Sequence, residues 1–241
     1  MFRQWLARLG KTPYFPPVTP EYPFSAIGDI HGRADLLERA LRLSDNYPVV
    51  CVGDYVDRGD NSADVLRMLY SRPDIVCISG NHEEMMLDFI EAPDKNGSRW
   101  LRFGGLQTLA SFGVAGVTEI SGDNAMTSAR DQLVEAMGQP LIRWMQALPT
   151  LWQSGNVAVV HAGADPAIAI DEQTVRSLHW GQSDFAKISR TDGVWVIHGH
   201  TIVDTPLAQH GRISIDTGAY ATGRLSLAHV ELSAVHFEIV T

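Results

Sequence analysis

The sequence predicts an α/β fold, and three observations along its 241 residues predict it. Short apolar runs alternate with segments of helical period from Phe24 to about residue 91, the pattern of βαβ units on a parallel sheet. A stretch from about Pro93 to Pro149 then lacks strand signals and reads as helical. Strand signals return after it, and the last ones lie so close together that antiparallel pairing is expected.

The N-terminus, "MFRQWLARLG", has no continuous apolar core of the kind a signal peptide carries. Phe2, Trp5, Leu6 and Leu9 instead fall at helical spacing, with Arg3, Gln4 and Arg8 elsewhere. So short a helix is not stable alone in water, so it should dock on its own domain. A partner subunit, giving an oligomer, or a membrane surface are the alternatives. "PYFPPVTPEYP" follows as an extended connector, because proline excludes helix. Residues 1–23 therefore read as an appended segment and residues 24–241 as the domain.

Within the domain, "FSAIG", "PVVCVG" and "DIVCISG" are the first three strands. "ADLLERALRL", "SADVLRMLY" and "EEMMLDFI" are the helices that follow them. Right-handed crossovers bring the ends of all three strands to one edge, where open α/β sheets bind ligands. "SRWLRFGGLQTLASFG" and "DQLVEAMGQPLIRWMQAL" make residues 93–149 a helical cap insertion. "NVAVVHAG", "GVWVIHGH", "GRISIDTG", "GRLSLAHVEL" and "AVHFEIV" are the later strands, the last three expected to pair antiparallel.

A net charge of -9 gives no support for nucleic-acid binding. No apolar run reaches the 18 or more residues of a membrane span, so a cytoplasmic protein is expected and a membrane is not an expected partner. Cys51 and Cys77 lie inside strand-like runs and read as reduced, buried small hydrophobes.

The chemistry gathers at the strand exits. "GDIHG", "GDYVDRG" and "GNHEE" end the first three strands, and "HAG" and "HGHT" end two later ones. Asp29 and His31 are two apart, which in extended chain puts both on one side. Alone, that pair could be a metal clamp, an acid/base pair or a hydrogen-bonded turn. Five such exits on one edge, all with groups suited to hard or borderline divalent metals, favour a metal site.

These segments resemble the calcineurin-like metallophosphoesterases, and within them the phosphoprotein phosphatases of the bacterial and phage serine/threonine type. "GDIHG", "GDYVDRG" and "GNHE" match the three signature segments nearly letter for letter, and "HAG" and "GHT" are similar to the later ones. The resemblance implies two mixed β-sheets packed as a sandwich with flanking helices. It implies two divalent metal ions, manganese first, with iron or zinc as alternatives. Asp29 and His31 would hold one metal, Asp54 would bridge both, and Asn81, His161 and His200 would complete the second site. It further implies that His82 is the general acid, that Asp57 orients it and that Arg58 binds phosphate. A metal-bridging hydroxide would then attack phosphorus directly. His198, nearer the strand interior than His200, is expected to pack or to support a ligand. His179, His210, His229 and His236 have no motif behind them and read as surface or core residues.

One departure from the family pattern concerns a second phosphate anchor. Bacterial relatives carry an arginine just after a "LLW" segment, where this chain reads "SLHWGQSDF" and offers Gln182. Arg176, Arg99 and Arg102 are the available substitutes. The expected substrate is a phosphorylated protein or small phosphoester, with dinucleoside polyphosphate hydrolysis as the alternative. Trp100, Phe103 and Trp144 could stack a base, although their helical spacing also fits a core. A metal-free binding module would lack ligands or the acid histidine, and none is missing.

Overall fold

A computed structural model describes residues 15–44 and 47–241; the amphipathic segment expected at the N-terminus lies outside the described residues. Strands β1 (Phe24–Ile27), β2 (Val49–Cys51) and β3 (Ile75–Cys77) alternate with helices α1 (Ala34–Leu43) and α2 (Ser62–Tyr70). Helices α3 (Asn81–Glu91), α4 (Pro93–Trp100), α5 (Leu106–Ser111), α6 (Asp123–Met137) and α7 (Gln139–Gln146) follow without an intervening strand. Strands β4 (Leu151–Ser154) and β5 (Val157–Val160) and helix α8 (Val175–Trp180) come next. Strands β6 (Trp195–His198), β7 (Leu207–Gln209) and β8 (Arg212–Ser214), helix α9 (Ala219–Thr222), and strands β9 (Leu225–Glu231) and β10 (Ala234–Val240) complete the chain.

The strands form two mixed five-stranded sheets, ordered β10-β9-β1-β2-β3 and β4-β5-β6-β8-β7. In the first, β1, β2 and β3 are parallel and in register at Ile27, Cys51 and Cys77, so their exits share one edge. In the second, β5, β6 and β8 are parallel. The period-2 alternation of side chains explains why the sheets stack. Phe24, Ala26, Val50, Val157, Val159, Ile197, Ile213 and Ala228 meet in one buried cluster between them. Ile27, Cys51 and Cys77, on the opposite face, pack under the helices α1 to α7. Ala158, Val160 and Val196 face outward on the second sheet, where Leu178 and Phe185 cover them. Both cysteines are free and buried, and no helix among the described residues is long and apolar enough to cross a membrane.

Two strands escape sequence reading and one pairs differently. β4 and β7 are short and largely unburied, so neither presents a clear apolar run. β8 does not join β9 in an antiparallel set. It pairs parallel with β6 and antiparallel with β7, while β9 pairs with β1 and β10. Ile213 points into the core that both sheets share, so its burial pattern alone does not say which sheet it belongs to. Residues 215–224, turning at left-handed Gly218, carry the chain from one sheet to the other.

The proline-rich segment contributes to the fold from Phe15 onward. Val18 is buried in the inter-sheet core, and Phe15 meets the Trp195 ring edge-on at 5.1 Å. The Trp195 indole N–H donates to Pro16 O at 2.8 Å, and Ser233 N–H donates to Val18 O at 2.8 Å. Having few backbone donors of its own, the segment is held mainly through its carbonyls, with Thr19 N–H donating to Asn156 Oδ1 at 2.6 Å.

Candidate metal centre and active site

The strand exits place the site by bending the backbone hard. Among the described residues, seven non-glycine residues have positive φ, and five of them are His31 (44°), Asp54 (53°), Asp57 (72°), Arg58 (68°) and His200 (61°). Such conformations are uncommon for residues with a Cβ and persist where surrounding structure enforces them. The enforcement here is by hydrogen bonds. Ile30 and His31 N–H donate to Asp54 O at 3.1 and 2.9 Å, tying the first exit to the second. The Glu83 carboxylate, fully buried, accepts N–H bonds from Asp54 and Tyr55 at 2.8 Å, Gly80 at 2.9 Å and Val56 at 3.3 Å. Burial and the nearby Asp54 charge oppose its ionisation, and these N–H groups support it.

Two groups of side chains could each hold a metal ion, and Asp54 is common to both. His31, Asp54 and His82 form one; Asp54, His161 and His200 form the other. His31 Nε2 lies 3.5 Å from Asp54 Oδ2, and His161 Nε2 lies 3.3 Å from Asp54 Oδ1. Asn81 Oδ1 joins the second group, 2.8 Å from His161 Nε2 and 2.9 Å from His200 Nδ1. Backbone acceptors fix the tautomers. His31 Nδ1 donates to Val56 O at 2.7 Å and His161 Nδ1 to Val52 O at 3.0 Å, so both Nε2 lone pairs face the site.

The chemistry of this set fits divalent cations. Burial lowers His31 to about 3 and His161 to about 4, and lowers His200 as well, leaving neutral imidazoles with available lone pairs. Burial would raise Asp54, but its surrounding histidines outweigh that and hold it below the usual carboxylate range. Asp29 stands outside both tight groups. Its Oδ2 accepts His200 N–H at 2.9 Å, while its buried Oδ1 has no partner, which a cation would supply. Burial, then the Asp216 and Asp54 charges, raise Asp29. Asp216, which the sequence reading did not single out, is itself raised to about 6, chiefly by burial. A site this rich in carboxylates needs positive charge before it can receive a phosphate. Glycines give the groups room: a Cβ on Gly80 would meet the Asp54 carboxylate and one on Gly199 the Asp29 carboxylate.

His82 lies within the first group by distance, yet both ring nitrogens already have partners. Nδ1 donates to Asp57 Oδ2 at 2.6 Å, and Nε2 accepts from Arg58 Nη2 at 2.9 Å. Burial works against protonation of His82, but Asp54 and Asp57 together raise it above the ordinary histidine value. Arg58 Nη1 reaches His31 Nε2 at 3.1 Å, so its fork spans the acid and the first metal group. The Tyr220 ring stacks under this guanidinium at 4.9 Å, a contact with no counterpart in the sequence reading.

The other sequence candidates separate. His198 is buried, with Ser214 Oγ 2.8 Å from Nε2 and Gly199 O 3.0 Å from Nδ1, away from both groups. His179 is buried between Glu84 at 2.5 Å and Ser79 at 2.8 Å, whereas His210 and His236 are exposed. His229 is half-buried, against Ser25 and Glu238. Gln182 lines a cavity of about 310 Å³ with His200, Trp180 and Phe185. Arg99 stacks on Trp180 at 4.8 Å beside that cavity, and Arg102 pairs with Glu119 at 3.3 Å. Arg176 lines a separate pocket that also includes Gln182. Of the aromatic residues, Trp100 is fully buried and Trp144 packs on Tyr70, while Phe103 is exposed.

Comparison with known proteins identifies the family. Residues 22–204 match the family model described as calcineurin-like phosphoesterase. Serine/threonine-protein phosphatase 2 of Escherichia coli strain K12 is 42% identical over 83 residues, 33% of this chain and 37% of that protein. Its namesake from Salmonella typhimurium is 28% identical over 219 residues, 85% of this chain and 91% of that protein. The asymmetrical bis(5'-nucleosyl)-tetraphosphatase PrpE of Oceanobacillus iheyensis is 25% identical over 231 residues, 83% and 85% of the two chains. Among solved structures, a candidate diadenosine tetraphosphatase superposes with a TM-score of 0.66 at 20% identity, covering 95% of this chain and 99% of that one. With a family match across most of its length, two metal-ready groups sharing one aspartate and the two-sheet fold, this chain belongs to the calcineurin-like phosphoesterase family.

Proposed function

We propose that the protein is a two-metal phosphomonoesterase acting on phosphoserine and phosphothreonine in proteins. Asp29 and His31 would hold one divalent ion, Asn81, His161 and His200 would hold the other, and Asp54 would be shared between them. Manganese is the first choice for both, with iron or zinc as alternatives. When bound, the ions supply Lewis acidity toward the phosphoryl oxygens and activate water for in-line attack. Arg58 binds phosphate oxygens through its fork and steadies their charge as the transition state develops. Once Arg58 leaves His82 Nε2 for the phosphate, that nitrogen can carry a proton, and the ring, held through Nδ1 by Asp57, gives it to the leaving oxygen as the P–O bond breaks. Cys51 and Cys77 are both buried in the core under the helices, which leaves neither exposed as an alternative nucleophile.

The Asp57–His82 pair carries the reading. A serine or threonine alkoxide is a poor leaving group and needs a proton, whereas a nucleotide phosphate leaves with far less help. Dinucleoside polyphosphate hydrolysis is the second reading, favoured by the PrpE relative that aligns over most of both chains. The cap offers that substrate little: only Phe103 of its three aromatic candidates is free to stack a base. The test uses metal-stripped protein with manganese, iron or zinc added back, turning over phosphoserine and phosphothreonine peptides and diadenosine tetraphosphate. Peptide turnover should exceed nucleotide turnover with manganese. The opposite order overturns the protein-phosphatase reading.

A further inference from the structure

The helical segment between α3 and β4 reaches into the active site at Asp57 and at the backbone of Arg58. Asp57 is fully buried and its two oxygens are fully engaged. Oδ2 faces His82 Nδ1 at 2.6 Å and the Trp100 indole Nε1 at 3.0 Å. Oδ1 accepts from Thr108 Oγ1 at 2.7 Å and lies 3.1 Å from the same indole nitrogen. Thr108 also binds Asp57 in the other direction, its Oγ1 accepting Asp57 N–H at 2.8 Å. Ser62 Oγ is a weaker alternative for both Thr108 bonds, at 3.2 Å from the hydroxyl and 3.1 Å from Asp57 N. The carboxylate is thus held by two donors from the cap as well as by the imidazole.

Local structure in the cap is arranged around this clamp. The helical run breaks between α4 and α5 at Gly104, with φ 111° and ψ 9°. That break brings Gly104 O to 3.2 Å from Arg58 N–H, and a Cβ there would lie 2.6 Å from Arg58 N. A Cβ on Gly105 would lie 2.6 Å from the Trp100 ring, so the second glycine lets the indole fit. The far face of the indole packs on Phe89 of α3, the helix that carries His82, with centroids 4.7 Å apart. Trp100 therefore fixes the acid from two sides, by hydrogen bond through Asp57 and by packing through α3.

We propose that Trp100 and Thr108 are positioning residues for the proton donor, holding the Asp57 carboxylate so that His82 is aimed at the leaving oxygen. The inference rests on the reading of His82 as general acid. Neither residue touches substrate, so their loss acts on proton delivery and spares binding. Supporting bonds of this kind account for part of the effect of the group they orient.

The experiment measures kcat and KM on a phosphoserine peptide and on p-nitrophenyl phosphate, whose leaving group needs little protonation. The proteins are the full chain, Thr108→Val, Thr108→Ser, Trp100→Phe, His82→Asn and the double variant Thr108→Val/His82→Asn. Thr108→Val keeps shape and loses the hydroxyl, and Trp100→Phe loses the indole donor while leaving a small cavity. Each should lower kcat on the peptide about tenfold, a fraction of the about 10²–10⁴ that a positioned acid contributes, with KM nearly unchanged and a smaller loss on the aryl ester. Thr108→Ser should recover most of the peptide activity. In the His82→Asn background Thr108→Val should add little further loss, because the group it positions is gone. Equal losses on both esters, or full additivity with His82→Asn, would overturn the positioning role. If His82→Asn itself fails to discriminate between the esters, the acid assignment falls instead. Metal content of each variant separates both outcomes from collapse of the site.

Discussion

Glu83 shows what a single buried side chain does for a site assembled from loops. Its carboxylate gathers N–H groups from the second strand exit and from the start of α3, so Asp54 and His82 are held relative to one another. Gln at this position keeps the shape but turns an NH₂ group toward backbone donors. Leaving such buried groups unsatisfied costs about 1–3 kcal/mol each. Glu83→Gln should therefore lower unfolding stability by about 2–4 kcal/mol, read as a lower denaturant midpoint at unchanged slope. A midpoint within error of the parent would refute the bracing role. Proposed metal-binding residues and Arg58 were legible in the sequence because short strings such as "GDYVDRG" put the chemistry directly at strand exits. Glu83 stood in the same "GNHEE" string, but its role depends on which backbone it meets in space. Asp216, Tyr220, Trp100 and Thr108 are of the same kind.

At the scale of elements, burial pattern told strands from helices but not one sheet from the other. Strands β1 to β3 could be ordered because βαβ crossovers have one hand and short loops. β8 could not, since a three-residue strand facing a shared core satisfies either sheet. The extended segment at residues 15–20 is a parallel case. Prolines mark it as non-helical, yet Val18 is buried and Thr19 O accepts Asn156 N–H at 3.2 Å. Removing residues 1–20 uncovers that part of the inter-sheet core. Burial of one such side chain is worth about 1.5–3 kcal/mol, so the truncated protein should melt roughly 5 °C lower. Its turnover with metal present should persist, because every proposed ligand lies later in the chain. Thermal melts and turnover of the truncated protein check this together. Loss of activity with an unchanged melt would place the segment in the active site.

For the whole molecule, a net charge of -9 and a site built from Asp29, Asp54 and Asp216 set the same requirement. The protein field repels phosphate until cations are bound at the carboxylates. Both sheets serve that end: the first delivers Asp29, His31, Asp54, Asn81 and His82 at its strand exits, and the second delivers His161 and His200. Asp54 is where the two halves meet, touching His31 and His82 on one side and His161 on the other. The most direct test of this account is the metal content of Asp54→Asn, measured by mass spectrometry on protein that still melts cooperatively. The bound metal should fall from two ions per chain toward one or none, and turnover should nearly vanish with it. Two ions retained, with most of the activity, would contradict the shared-aspartate centre.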